Sequence, residues 1–251
     1  MGGHSHWAGI KHKKALTDAK RGKVWTKLVR EITIAARLGG GNMEHNPRLR
    51  KAVDDARAEN MPSENVKRAI QKGTGEIPGV NYEELTFEGY GPAGVAVYAE
   101  GSTDNRNRTA QQVRKIFEEH GGNMGNAGCV AFLFEKKGYL TVKKKAVAED
   151  ELMGVALDAG ADDMKSEGDE DHEIFTSPQG FEAVREALKA KGIPVESSEV
   201  TMLPKTSVRI EDSETARKLL ALIESLEEHD DVSHVYSNFD IPAQILDSLD
   251  K

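Results

Sequence analysis

The side chains in this chain best suited to chemistry are cations, gathered at one end and interleaved with rings. Residues 3–14 read GHSHWAGIKHKK, with His4, Ser5, Trp7, Lys11, His12, Lys13 and Lys14 inside one short run. Lysine meets a phosphate as a point charge, hydroxyl and imidazole groups hydrogen-bond its oxygens, and an indole stacks on an unpaired base. Lys20, Arg21, Lys23, Lys27 and Arg30 follow. Residues 1–30 hold 8 Lys and Arg against one acid, and residues 1–73 hold 16 against 7, a net of +9. The remaining residues hold 18 against 35, a net of −17, so the chain as a whole carries −8. A polyanion responds to a local patch, and the acidic total therefore does not count against nucleic acid as a partner. The histidines His4, His6 and His12 have no Cys or carboxylate ligands at metal-site spacing, so no metal is expected there.

Other chemistries find little support. No phosphate-binding loop, Ser-His-Asp constellation, metal tetrad or paired-carboxylate motif is present, and the eight His are scattered. The expectation is a protein that is not an enzyme, with no catalytic residues and no cofactor. Gly89-Tyr90-Gly91-Pro92-Ala93-Gly94 satisfies G-x-G-x-x-G in form only. A dinucleotide fingerprint needs a helix after it, whereas here a proline sits inside and a strand pattern follows, so a hairpin turn is predicted. The Gly- and Asn-rich run 121–128 reads as a tight helix-to-strand turn, with anion binding by its amides as the lesser alternative. A single cysteine, Cys129, excludes an intramolecular disulfide and suits a reducing cytoplasm. It is read as a small core residue of a buried strand from Cys129 to Phe134. No apolar run approaches the roughly 18 residues that span a bilayer, and the start lacks the apolar core of a secretory signal, so no membrane partner is expected.

The elements that must position the cations come next. Val24, Trp25, Leu28, Val29, Ile32, Ala35 and Ala36 recur at helical spacing and fill an arc of roughly 140°. Lys20, Lys23, Lys27, Arg30 and Arg37 share a separate arc of about 100°, which predicts one cationic stripe. Gly39-Gly40-Gly41 ends this helix. Asn46-Pro47 starts a second, with Leu49, Val53 and Ala56 inward; Ser63 caps a third, with Val66, Ala69 and Ile70 inward. Period-two patterning then predicts paired strands at Glu83 to Phe87 and Val95 to Glu100, and Asn105 to His120 reads as a helix that opens with Arg106 and Arg108. Residues 138–203 give strand, helix, strand, strand, helix, strand, the ferredoxin-like order, with a second helix from Pro178 to Lys191. A strand from Ser207 to Ile210, an amphipathic helix from Ser213 and a strand from Val232 to Phe239 close the chain.

The run GHSHWAGIKHKKALTDAKRGKVWTKLVREITIAARLGGG resembles the amino-terminal signature of the YebC family. The resemblance continues through NPRLRKAVDDARAENMP, RAIQKGTGE, YEELTFEGYGPAGVAV, TDNRNRTAQQVRKIF and GGNMGNAGCVAFLF, which together cover most of the chain. His6, Trp25 and Cys129 stand where the family usually has Lys, Phe and often Ser. The expected fold class is α+β in three domains: a basic helical bundle over 1–78, a discontinuous α/β domain from 79–134 and 204–251, and an inserted ferredoxin-like domain over 135–203. The resemblance implies the same three-domain layout.

It also implies a cytoplasmic, DNA-binding transcriptional regulator. A mitochondrial relative activates translation of a cytochrome oxidase subunit, and bacterial relatives are linked to relieving stalled peptide synthesis. These imply the alternative, a ribosome-associated factor that grips ribosomal RNA and approaches ribosomal proteins. The expected state is a monomer. The residues expected to contact nucleic acid are His4, Ser5, Trp7, Lys11, His12, Lys13, Lys14, Lys20, Arg21, Lys23, Lys27, Arg30, Arg106 and Arg108. No recognition helix carrying Arg, Asn and Gln at base-reading positions is evident in the sequence.

Overall fold

A computed structural model describes residues 18–166 and 170–249. The residues fall into two compact units, one of 18–129 with 217–235 and one of 130–216 with 236–249. Helix and strand are both abundant, as an α+β chain requires.

The first unit begins with three helices, α1 (Asp18–Gly39), α2 (Pro47–Ala58) and α3 (Ser63–Thr74). Ile32, Ala35 and Ala36 of α1 join Leu49, Ala52, Val53 and Ala56 of α2, and Val66 and Ala69 of α3, in one buried core. Trp25 closes an end of this core and donates its indole N–H to the Glu59 carbonyl at 3.0 Å. Asn46 fastens the α1–α2 junction. Its Oδ1 accepts from the Leu49 amide at 3.0 Å, and its Nδ2 donates to the carbonyls of Ala35 and Gly40, each at 2.8 Å. One buried side chain thus satisfies orphan groups at the end of one helix and the start of the next. Where α1 crosses α3 the backbones approach so closely that a Cβ on Gly73 would lie 2.4 Å from the Thr33 carbonyl oxygen.

Strands β1 (Glu83–Tyr90) and β2 (Ala96–Thr103) form an antiparallel hairpin from Glu83↔Thr103 to Tyr90↔Ala96. Both run longer than the alternation predicted. The Gly91 to Gly94 segment is the hairpin turn, with the Gly91 amide donating to the Val95 carbonyl at 2.8 Å. Helix α4 (Arg106–Glu119) packs on this sheet and leads to β3 (Asn123–Met124), which pairs with β1.

The second unit contains β4 (Phe134–Lys143), α5 (Glu149–Asp158), β5 (Asp163–Lys165), β6 (Asp171–Thr176), α6 (Phe181–Ala190) and β7 (Ser197–Pro204). The sheet order is β5-β6-β4-β7 with every neighbour antiparallel, which is the ferredoxin-like arrangement. Leu140, Val142 and Ile174 of the sheet bury against Leu152 and Ala156 of α5 and Val184 and Leu188 of α6. Beyond it lie β8 (Val208–Arg209), α7 (Ser213–Glu228), β9 (Val232–Ser237), β10 (Phe239–Asp240) and α8 (Ala243–Leu249). Most of α7 and β9 belong to the first unit, where β9 extends the sheet in the order β3-β1-β2-β9.

Four sequence expectations need correction. Cys129 to Phe134 is not a strand: Cys129 and Val130 bend, Ala131–Leu133 form a 3-10 turn, and extended pairing starts at Phe134. Ser63 does not cap α3; Pro62 occupies the cap position with no side-chain cap bond, because its fixed φ already supplies the extended entry. Residues 178–180 form the turn before α6. The strand after α7 breaks at Asn238, whose carbonyl accepts from the Val208 amide at 2.7 Å and so redirects the chain into a parallel pair with β8.

Replacing Asn46 by Ala strips partners from three backbone groups at once. Urea unfolding should show a loss of about 2 kcal/mol. Gly73→Ala should cost about 1–3 kcal/mol through overpacking at the helix crossing, with the slope against denaturant unchanged.

Candidate nucleic-acid interface

Of the expected contact residues, His4, Ser5, Trp7, Lys11, His12, Lys13 and Lys14 lie outside the described residues. Lys20 and Arg21 lie on the first turns of α1. Lys23, Lys27, Arg30, Arg106 and Arg108 have described side chains, and most of these do not face outward as one stripe. Lys23 is half exposed and stands 4.0 Å from the Glu228 carboxylate. Lys27 donates to the Glu227 carbonyl at 2.5 Å. Arg37 donates to Asn81 Oδ1 at 2.7 Å and to the Tyr82 carbonyl. The acidic corner Glu227, Glu228, Asp230 and Asp231 draws Lys23, Lys27 and Arg30 toward the protein.

Arg30 shows why. Its guanidinium donates to the Asp231 carboxylate, to the Asp230 carbonyl at 2.8 Å and to the Ser102 carbonyl at 3.3 Å, and it lies 5.3 Å from the centre of the Tyr82 ring. The Asp231 side chain is only 4% exposed. Its other oxygen accepts from Thr109 Oγ1 at 2.6 Å, Arg108 Nη2 at 2.9 Å and Thr103 Oγ1 at 3.1 Å. Burial by itself would push this carboxyl up. The hydrogen bonds from Thr109, Arg108 and Arg30, with the charge of Arg30, outweigh burial and hold it well below the usual carboxylate range. The carboxylate joins α1, the end of β2 and the start of α4. The backbone approach is equally close, since the Ser102 amide donates to the Asp231 carbonyl at 2.9 Å and a Cβ on Gly101 would lie 2.1 Å from that oxygen.

Arg108 thus spends its guanidinium on Asp231 and on Asp104 at 2.8 Å, while Arg106 is exposed at the first position of α4 and makes no side-chain bond to another described residue. Asn105 caps the helix by accepting from the Arg108 amide at 3.1 Å. The 121–128 run is held by Glu88, a buried acid whose Oε1 accepts from the Gly128 amide at 2.6 Å and whose carbonyl accepts from the Gly125 amide at 2.8 Å. A carboxylate already occupies the Gly128 amide, which leaves that group nothing to offer an anion. Burial, with the Glu88 charge second, pushes the Cys129 thiol up and disfavours a thiolate.

A set of cations the sequence reading passed over stands on α3. Lys67, Arg68 and Lys72 are exposed and make no ion pair or side-chain hydrogen bond with any other described residue. Elsewhere in the helical module Arg48 bridges Glu31 at 2.7 Å and Glu84 at 2.6 Å, Lys51 meets Asp55 at 2.8 Å, Arg57 meets Asp54 at 3.0 Å and Arg50 donates to the Met43 carbonyl at 3.1 Å. The signal in the sequence was the shortage of acids after Glu64, which a helical wheel of α3 would have exposed.

Asp231→Asn leaves Arg30 charged and poorly paired in a buried place, and should destabilise the fold by about 3 kcal/mol at pH 7. The native carboxyl titrates below its unfolded value, so its contribution is complete above the ordinary Asp range and is lost as pH falls below about 4. Urea midpoints of the native and variant proteins should therefore differ most near neutrality and draw together as pH falls below about 4.

Comparison with known proteins agrees across the chain. Residues 5–76 match the family model described as the TACO1/YebC protein N-terminal domain, and residues 82–239 match the TACO1/YebC second and third domain. A probable transcriptional regulatory protein from Elusimicrobium minutum is 53% identical over 251 residues and covers 100% of both chains. A protein of the same description from Syntrophobacter fumaroxidans is 57% identical over 249 residues, 99% of this chain and 100% of its own. The crystal structure of a conserved hypothetical protein from Aquifex aeolicus superposes with a TM-score of 0.82 at 52% identity, covering 96% of this chain and 99% of that one. With two family models spanning most of its length and relatives more than half identical end to end, the chain belongs to the TACO1/YebC family.

Proposed function

We propose that this protein is a DNA-binding regulator of transcription, without catalytic activity or cofactor, that holds the phosphate backbone through its basic amino-terminal module. The observation that carries this reading is the partition of charge, +9 in residues 1–73 against −17 in the rest. Two relatives named as probable transcriptional regulatory proteins support it. The contact set is His4, Ser5, Trp7, Lys11, His12, Lys13, Lys14, Lys20, Arg21 and Lys23, joined by Arg106. Lys27, Arg30 and Arg108 act one step back, holding the module in place through the 227–231 corner. The working division is a basic bundle over 1–78, a discontinuous domain of 79–134 and 204–251, and an inserted domain over 135–203.

The alternative, a ribosome-associated factor, uses the same lysines on ribosomal RNA. It is favoured by the amino-terminal run, where Trp7 and the histidines suit unpaired bases better than a closed duplex. The two readings separate in a salt series with duplex DNA and purified ribosomes in parallel. Duplex DNA should bind at physiological salt, with log K falling linearly against log salt. Changing Lys11, Lys13 and Lys14 together to Glu should weaken that binding and make the slope shallower by about one per lysine removed. Affinity and slope unchanged in the triple variant would remove the module from the reading. Stoichiometric ribosome binding with negligible DNA binding at physiological salt would move the protein to translation.

A further inference from the structure

The helical module contains a second feature, separate from the lysine-rich amino terminus. α2 and α3 are joined by four residues, Glu59 to Pro62, and each packs mainly on α1, with little contact between the two. They are therefore not an antiparallel pair. Asn60 sits at φ 55°, in the left-handed region that a sharp helix-to-helix turn requires, and Asn tolerates it better than most residues. Met61 is only 6% exposed and plugs the turn into the core, with its amide donating to the Ala56 carbonyl at 2.9 Å. A short turn with one left-handed residue, a buried apolar residue after it and a following helix with an open polar face is the make-up of a helix-turn-helix.

The open face has the matching chemistry. Val66, Ala69 and Gly73 turn toward α1, leaving Glu64, Lys67, Arg68 and Gln71 within about 100° of arc on the opposite side. Their spacing is i, i+3, i+4 and i+7, so they line one stripe. None makes a side-chain hydrogen bond or ion pair with another described residue. Every described cation of α1 and α2 has a protein oxygen as partner, whereas Lys67, Arg68 and Lys72 have none. Among the described residues of the helical module, the cations without a partner stand on α3. Arg is the side chain that reads guanine in two hydrogen bonds, Gln does the same for adenine, and Glu accepts from the cytosine amino group.

We infer that α3 is the base-reading helix of a helix-turn-helix, with Arg68 and Gln71 contacting base edges in the major groove of duplex DNA and Lys67 and Lys72 on flanking phosphates. The occupant is DNA and not an RNA duplex, because the B-form major groove admits a helix whereas the A-form groove is too narrow for side chains to read. The inference rests on the DNA-binding reading above and gives it the sequence specificity that the lysines alone lack.

The test is selection of bound duplexes from a randomised library by the full chain, followed by affinity measurement on selected and scrambled duplexes. Two variants are compared with the native protein. Arg68→Lys keeps the charge and loses the two-pronged bond, and Gln71→Ala changes no charge. Arg68 is exposed and Gln71 half-buried, and circular dichroism should confirm unchanged folding. The expected result is that each variant binds scrambled duplex within about twofold of the native protein while its preference for the selected base pair drops about tenfold. Native selection that the two variants reproduce unchanged overturns the inference. Native binding that is uniform across sequences also overturns it and leaves the phosphate-binding reading standing. No duplex binding at low salt overturns both.

Discussion

The first unit depends on one buried carboxylate. Asp231 accepts from Arg30, Arg108, Thr103 and Thr109, which come from α1, the end of β2 and α4. An isolated charge this deeply buried would cost several kcal/mol, and it is tolerated because both oxygens are fully engaged. The arrangement works only if the chain returns, some 200 residues after Arg30, to deliver Asp231 to the same place. That return is α7 followed by β9, and it explains why residues 217–235 pack with 18–129 and not with their neighbours in sequence. This polar cluster holds the helical module on the β1–β2 sheet, together with the Arg48–Glu84 pair and the bonds from Arg37 to Asn81 and Tyr82.

The same cluster explains which features were legible in the sequence. Helices α1 and α2 were, because their apolar spacing and the Asn46-Pro47 start are local signals that packing reinforces. The ferredoxin-like order of 138–203 was legible for the same reason: each element has its own period and the turns fall between them. Cys129 to Phe134 misled, since an apolar run has the composition of a buried strand. There Glu88 gathers the preceding amides and the chain turns through Ala131–Leu133 before it can extend. Helical spacing placed Lys27, Arg30 and Arg37 correctly in one arc, but it carries no information on what lies opposite that arc. Glu227 and Asp231 lie 200 and 201 residues from Lys27 and Arg30, and no local pattern announces them.

Pairing also changes what a basic patch means. Net charge summed over residues 1–73 treats every lysine and arginine alike, yet Arg30 and Arg48 are tied to carboxylates and contribute more to cohesion than to an external field. The charge available to a partner is the part left over. Within the described residues of the module it is concentrated on α3, whose buried side is built from small residues and a glycine crossing so that the helix can seat closely on α1. Close seating and a turn plugged by Met61 hold the backbone beneath the outer stripe in place. That matters because base readout needs the helix held in register, while phosphate contact alone does not. A helix that only needed to be soluble could have carried Glu–Lys pairs at i,i+4 like Lys51 and Asp55 on α2. On α3 the acids are missing after Glu64, and the cations stand without them.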